Sequence, residues 1–393
     1  MDKKNKNPNV PNLRFREFHT EWEKIQIGNL IKERKEYTSD FEKYPLYSFT
    51  IESGITPKSD RYERSFLVKK EGDLFKIVHQ NDFVMNPMNL RFGALNYSKI
   101  NQTVSVSGYY DIFTIDACKY NEFWNAYLKT PRMLYTYNTI ATGSLVEKKR
   151  VYFKQLKELK MCIPSEMEKN KINEFINLLN EKIQTQNKII DDLVLQKKYI
   201  ISSLLKSIQD NEKIMLKDIL FDYNIKTTIN NEYPVLSSTA SGMYLQSDYF
   251  NKETSSDNTI GYKIVPRGYC TYRSMSDTGL FTFNIQNLVE KGIVSPAYPV
   301  FSSNDDYINE FIILYLNNSS YIKKQILELK SGGTRFALPF STLCTLKIPK
   351  LEKEKQLSLI KTITAFERKI ENEEIILNAL HQQKIFLLNN MFI

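Results

Sequence analysis

Two stretches of the chain place a core-type residue at alternating steps of four and three. The first runs Ile172, Ile176, Leu179, Ile183, Gln186, Ile190, Leu193, Lys197, Ile200 and Leu204. The second runs Leu359, Ile363, Phe366, Ile370, Glu373, Leu377, Leu380, Lys384, Leu387 and Met391. Every member of the second follows its counterpart at one constant offset, the one that carries Ile172 onto Leu359. An apolar repeat of 3.5 residues sustained this long predicts a coiled-coil seam. Neither run contains Gly or Pro, and both follow an Ile-Pro pair, Ile163-Pro164 and Ile348-Pro349. Proline disfavours helix at the residue before it, so a strand is expected to end there. Short apolar-aromatic runs bounded by Asn, Asp, Ser and Gly come earlier in each half. Phe83 to Met85, Tyr110 to Ile115, Tyr269 to Tyr272 and Leu280 to Phe283 predict strands. A short helix is expected after them, over Glu122 to Leu128 and Ile308 to Leu316.

The same offset, give or take one or two positions, extends beyond the helices. Asn121-Glu122-Phe123 with Tyr127-Leu128 returns as Asn309-Glu310-Phe311 with Tyr315-Leu316. Tyr44-Pro45 with Ser48, Thr50 and Ser53-Gly54 returns as Tyr233-Pro234 with Ser237, Thr239 and Ser241-Gly242. Val106-Ser107, Tyr110 and Phe113 return as Val294-Ser295, Tyr298 and Phe301. Phe153, Leu156 and Leu159-Lys160 return as Phe340, Leu343 and Leu346-Lys347. Several matches in one order at nearly constant offset identify an internal duplication.

The expected fold class is α+β: two mixed α/β regions related by duplication, separated by two long helices forming an antiparallel coiled coil. The expected boundaries are residues 1–165 for an N-terminal arm and first globular region and 166–211 for a central helix. Residues 212–350 form the second globular region and 351–393 a C-terminal helix. A helix of about 38 residues is roughly 57 Å long, enough to hold two globular units apart. The seam is polar at matching places, Gln186/Glu373 and Lys197/Lys384. Two readings stay open: such residues fix the register, or they lie at the seam's edge with lysine snorkelling to solvent. Phe123, Tyr127, Phe311 and Tyr315, at i and i+4 on the short helices, are expected in the core. Trp22 is expected to pack the N-terminal segment onto the first region, and His79 to lie at the surface.

Composition narrows the chemistry. The 393 residues carry 54 Lys+Arg against 45 Asp+Glu, a net +9. The excess is uneven. Residues 1–11 carry +2, residues 12–165 carry +6 and residues 212–350 carry +1, while the two helices are neutral. Basic, aromatic-rich regions on neutral spacers suggest a reader of two separated pieces of nucleic acid. Hydrophobic residues make up 42%, which excludes a disordered polar chain. Only three His occur, far apart, so metal and triad chemistry built on His has little support. Cys118, Cys162, Cys270 and Cys344 form no C-x-x-C pair and no zinc spacing, and read as reduced thiols. Met1 to Pro8 lacks an apolar run, so a secretory leader is not expected there. The expected location is the cytoplasm.

Catalytic motifs are missing. The sequence has no G-x-x-x-x-G-K-[ST], G-x-G-x-x-G, H-E-x-x-H or G-x-S-x-G. Asn86-Pro87-Met88-Asn89 lacks the second Pro and the aromatic of an amino-methyltransferase motif. Glu158-Leu159-Lys160 and Glu328-Leu329-Lys330 have an E-x-K spacing but do not align between the halves, and read as solvated surface.

Three features together carry a family resemblance. The chain opens Val10-Pro11-Asn12-Leu13-Arg14-Phe15 with Phe18 and Trp22, and Ser331-Gly332-Gly333-Thr334-Arg335 precedes Ile348-Pro349 and a Glu/Lys-rich helix. The third feature, the duplicated layout of globular region and long helix, is the most specific. Over essentially its whole length the sequence resembles the specificity (S) subunit of type I restriction–modification enzymes. The first half departs from the Gly-Gly-Thr-Arg pattern, with Thr142-Gly143-Ser144 and then Lys148, Lys149 and Arg150, so the counterpart of Arg335 is open.

The resemblance implies that each globular region is a target-recognition domain reading one half of a bipartite site in double-stranded DNA. The helices would set the unread gap and dock two methyltransferase (M) subunits, through which restriction/motor (R) subunits join. S-adenosylmethionine, ATP and Mg would belong to those partners, with no cofactor or metal in this chain and no catalysis by it. Two other classes remain open on the residues alone: a nuclease with a basic groove, and a coiled-coil oligomerisation scaffold that binds no DNA.

Base readout needs Arg, Lys, Asn, Gln or Ser on loops. The candidates in the first region are Lys58, Ser59, Arg61, Tyr62 and Arg64, then Asn86, Asn89 and Arg91, then Lys148, Lys149 and Arg150. In the second they are Tyr244, Gln246 and Ser247, then Arg273, Ser274, Ser276 and Asp277, then Thr334 and Arg335.

Overall fold

The computed structural model describes residues 9–51, 53–57, 74–145, 149–249, 258–329 and 336–393. It divides into two compact units, residues 1–187 with 375–393, and residues 188–374. The divisions fall inside the long helices, which span Glu166–Ser207 and Lys353–Met391. Each unit therefore contains part of both. The fold is mixed α/β, and no helix among the described residues is long and apolar enough to cross a membrane.

The first unit is centred on a four-stranded antiparallel sheet in the order Ile31–Arg34, Asp111–Ile115, Phe83–Met85, Leu95–Tyr97. Phe83-Val84-Met85 is wholly buried, because one face of the sheet meets helices and the other meets a second layer of strands. Phe83 stacks on Phe113 at 5.6 Å. The second unit repeats this sheet in the same order: Leu220–Asp222, Val300–Ser303, Cys270–Tyr272, Phe283–Ile285.

The outer layer repeats as well. In the first unit Phe75–Val78 pairs with Val104–Val106, and Tyr47–Thr50 pairs with Gly54–Pro57 as a hairpin. In the second, Lys263–Pro266 pairs with Lys291–Val294, and Leu236–Thr239 with Gly242–Leu245. A smaller apolar core lies under each hairpin, around Val78, Val106 and Ile112 in one unit and Val265, Val294 and Val300 in the other. Gly54 holds φ at +65°, and a Cβ there would come within 2.7 Å of Asn96 Nδ2, so the hairpin turn requires glycine. Finally, Glu23–Gln26 pairs with Lys160–Ile163, and Lys213–Met215 pairs with Lys347–Pro349, at the root of each long helix.

The aromatic residues at helical spacing are core. Phe123, Tyr127, Phe311 and Tyr315 are all buried on the helices Asn121–Tyr127 and Asn309–Asn318. Each of these helices is followed by another, Pro131–Ile140 and Ser320–Glu328, that the hydrophobic pattern does not announce. Their starts are capped. Thr130 Oγ1 accepts from Met133 N at 3.4 Å with Pro131 in the first turn, and Ser319 Oγ accepts from Ile322 N at 3.5 Å.

The strand expected over Leu280 to Phe283 lies instead at Phe283–Ile285. Gly279 at φ +78° and the Thr278 hydroxyl, which accepts from Leu280 N, hold the preceding residues in a turn and leave Leu280 exposed. His79 is partly exposed at the surface, where its Nε2 lies 2.9 Å from Glu36 Oε2.

Within each unit the long helices run antiparallel. In the first, Ile172 and Ile176 share a core with Leu387, Leu388, Met391 and Phe392. In the second, Ile201 and Leu205 share one with Leu359 and Ile363. Lysine at the polar seam positions reaches across to the neighbouring helix. Lys384 Nζ donates to Asn180 Oδ1 at 2.6 Å in the first unit, and Lys197 Nζ to Glu367 Oε1 at 3.2 Å in the second. Asn180 and Glu367 are related by the same offset as Lys197 and Lys384, so both units use the same pair of positions. These cross-helix bonds favour the register reading over snorkelling. Burial holds the Lys384 ammonium below its ordinary pKa and, in the same unit, pushes Lys129 down to about 8.

The N-terminal segment is tied to the first unit. Trp22 is buried with its ring edge toward Tyr127 and Phe392, and Phe15 meets Phe175 edge-on at 5.8 Å. Arg14 grips Glu168 with two bonds, Nε to Oε1 at 2.7 Å and Nη2 to Oε2 at 2.6 Å. Leu13 N donates to Asn390 O at 2.8 Å, joining the segment to the last turn of the C-terminal helix.

Candidate nucleic-acid interface

Among the described residues, each unit carries a groove at the equivalent place. The first encloses about 1230 Å³ and the second about 740 Å³. One wall is the hairpin, represented by Ser48 and Thr50 in the first unit and Ser237 and Thr239 in the second. Another is the turn before the strand Asp111–Ile115 or Val300–Ser303, with Ser107 and Tyr110, then Ser295 and Tyr298. A third is the loop leaving the buried strand Phe83–Met85 or Cys270–Tyr272.

One hydrogen bond fixes this third wall in both units. Val151 N donates to Pro87 O at 3.0 Å, and Leu338 N donates to Ser274 O at 2.8 Å. Donor and acceptor both shift by the offset of the helical seams between the units. The segments entering the short helices Phe153–Glu158 and Phe340–Leu343 are thus held against this loop in one register.

The linings differ in chemistry. The first groove is aromatic, with Tyr37, Tyr109 and Tyr152 all exposed at its surface. Arg150 lies over the Tyr109 ring, its Cζ 5.9 Å from the centroid. Lys76 sits at the floor, donating to Tyr110 O at 2.6 Å and lying 3.5 Å from Asp111 Oδ1. Burial raises the Asp111 pKa above its ordinary value while Lys76 pulls it down. The second groove is lined with small hydroxyls, among them Ser237, Ser238, Thr239, Ser276 and Thr278, with Arg273 and Asp277 at its rim. Asn284 Nδ2 donates to Ser238 Oγ at 2.8 Å and to Thr239 O at 3.0 Å, fixing the hairpin wall against the sheet.

Of the residues expected from sequence to contact bases, Arg150 lines the first groove, and Gln246, Arg273, Ser276 and Asp277 line the second. Seven others lie off the lining. Asn86 Oδ1 accepts from Met88 N, closing its own turn, and the exposed Asn89 accepts Phe92 N and Ala94 N at its carbonyl. Arg91 packs over Phe92 at 4.5 Å, and Lys149 is half-buried beside Arg150. Tyr244 Oη donates to Ser241 O, Ser247 Oγ to Asp248 Oδ1, and Ser274 Oγ to Ala297 O. Lys58, Ser59, Arg61, Tyr62, Arg64, Lys148, Thr334 and Arg335 lie outside the described residues.

The hairpin hydroxyls and the tyrosines Tyr37, Tyr109 and Tyr152 are groove residues that the sequence did not single out. Part of the signal was present: the repeats around Tyr44-Pro45 and Val106-Ser107 that mark the duplication also mark two groove walls. Among the described residues no group of three or more His, Cys, Asp and Glu side chains could hold a metal ion.

No protein-family model matches the chain, and no curated protein matches it either. Solved structures do. The S subunit of a type I restriction-modification system from M. genitalium matches over 98% of this chain and 99% of its own, at 14% identity and a TM-score of 0.52. A chain from a structure describing complex assembly and conformational transition of the type I R-M system matches over 94% of this chain and 97% of its own, at 11% identity and a TM-score of 0.58. At these identities the likeness is one of fold, and it runs through both units and both long helices.

Proposed function

We propose that this chain is a non-catalytic DNA sequence-recognition subunit of a type I restriction–modification complex. Each groove takes one half of a bipartite site in double-stranded DNA, and the long helices set the unread gap and dock two M subunits. R subunits join through those. S-adenosylmethionine, ATP and Mg are the partners' cofactors, and the complex works in the cytoplasm.

The observation that carries this reading is the pair of grooves at equivalent places in two duplicated units, on a fold shared from end to end with an S subunit. Two reading sites built alike suit two half-sites read in tandem. The differing linings suit an asymmetric target, since base edges are distinguished by the donors and acceptors that face them. The +6 of residues 12–165 supplies attraction to phosphates, and the modest +1 of residues 212–350 leaves the second groove to rely more on its hydroxyls.

Binding of the full-length chain to duplex DNA across a salt series tests this. The logarithm of affinity should fall linearly with the logarithm of salt, by about 0.9 for each phosphate contacted, with a total slope of several units. A flat salt dependence would remove DNA from the account. Cleavage of plasmid by the purified chain with magnesium alone would contradict a non-catalytic subunit.

A further inference from the structure

Among the described residues, the two grooves carry their arginine on opposite members of one pair of facing positions. The Val151–Pro87 and Leu338–Ser274 hydrogen bonds give one and the same repeat offset for both of the segments they join. Asn86 is therefore the counterpart of Arg273, and Arg150 the counterpart of Ala337. Among the described lining residues each groove holds one arginine. In the first it comes from the segment entering the short helix, and in the second from the loop across the shared hydrogen bond.

Each position left without arginine holds a residue that does not reach the groove. Asn86 turns its side chain back onto Met88 N, and Ala337 is a methyl group. The two guanidinium groups thus come from opposite sides of the same hydrogen-bonded pair of segments.

Neither guanidinium is engaged in holding the fold. Among the described residues Arg273 is exposed and makes no hydrogen bond or ion pair, and the Arg150 side chain makes only its contact with the Tyr109 ring. Their backbones are fixed nonetheless. Arg273 directly follows the buried strand Cys270–Tyr272 and precedes Ser274, whose carbonyl and hydroxyl are both bonded. Arg150 exchanges two backbone bonds of 2.9 Å with Thr142. An anchored backbone carrying an uncommitted five-donor fork is suited to bidentate recognition, and the O6/N7 edge of guanine is its commonest base target.

The geometry points to one guanine in each half of the DNA site, read by Arg150 in the first groove and by Arg273 in the second. This rests on the DNA-reading function proposed above.

Selection from a random-sequence duplex library tests it, using the full-length wild-type chain and the variants Arg150→Ala, Arg150→Lys, Arg273→Ala and Arg273→Lys. Each alanine variant should lose its preference for one guanine, by about 5- to 150-fold. The two losses should fall in different halves of the site, with the other half still selected, which also shows that each variant is folded. Lysine should not restore the preference, because it keeps the charge and lacks the fork.

Two results would overturn the inference while leaving the DNA-reading function standing. One is uniform weakening on every sequence, restored by lysine, which marks a phosphate contact. The other is unchanged selection by both alanine variants. If the wild-type chain selects no sequence at all, the proposed function itself falls.

Discussion

Replacing Arg14 by alanine should destabilise the first unit by about 3–5 kcal/mol, the usual cost of removing one partner of a buried ion pair. The reason is Glu168. Its side chain is only 1% exposed, and both carboxylate oxygens are taken by Arg14 at 2.7 and 2.6 Å. Arg14 Nη2 also donates to Thr20 O at 2.6 Å, so the same guanidinium closes the N-terminal segment on itself. Without it the buried carboxylate is left uncompensated. For a unit of about two hundred residues each kcal/mol lowers Tm by roughly 2–4 °C. Replacing both partners with apolar residues, Arg14→Met with Glu168→Leu, should recover most of the loss, because the expensive group is then gone. Urea unfolding of the wild type and these two variants checks this. A loss under about 1 kcal/mol for Arg14→Ala would mean that the pair is as weak as a surface bridge.

Inserting one heptad into both long helices should lengthen the gap between the recognised half-sites. Seven residues add about 10 Å of helix, and a base pair rises about 3.4 Å, so the increase is at most about three base pairs. The insertions must be matched. The Lys197–Glu367 and Lys384–Asn180 bonds tie each helix to the other at positions equivalent under the repeat, and a one-sided insertion would break the register they share. Placing both between residues 183 and 190 and between 370 and 377 leaves these two bonds intact. The gap found by sequence selection with the doubly lengthened chain is the readout, and an unchanged gap would remove the helices from the role of spacer.

Much of this architecture could be read from the sequence because the duplication repeats the physics as well as the letters. The seam positions are spaced by local helical geometry, so Ile172 and Leu359 announce themselves without knowledge of the rest of the fold. Aromatic pairs such as Phe311 and Tyr315 do the same. The second short helix of each half escapes such a reading because its signal is a cap, Thr130-Pro131 or Ser319-Ser320, and not a long apolar period. The strand Phe283–Ile285 is displaced from the apolar run because Gly279 and the Thr278 hydroxyl set a turn whose strength such a run does not reveal.

The grooves were only partly legible for another reason. Their walls come from segments far apart in sequence, such as Thr50, Tyr109 and Arg150, which only tertiary packing brings together. Polar character on a loop does not tell Asn86, which satisfies its own turn, from Arg273 at the equivalent place, which does not. The register that distinguishes them depends on two backbone hydrogen bonds, Val151 to Pro87 and Leu338 to Ser274.

The central claim is that two equivalent grooves in one chain read two separated halves of one DNA site. Mapping methylated adenines across the host genome, with and without this chain, tests it most directly. The expected result is one motif of two short specified blocks around a gap of fixed length and free sequence, its methylation lost when the chain is removed. A contiguous motif, or methylation that persists unchanged without the chain, would contradict the claim.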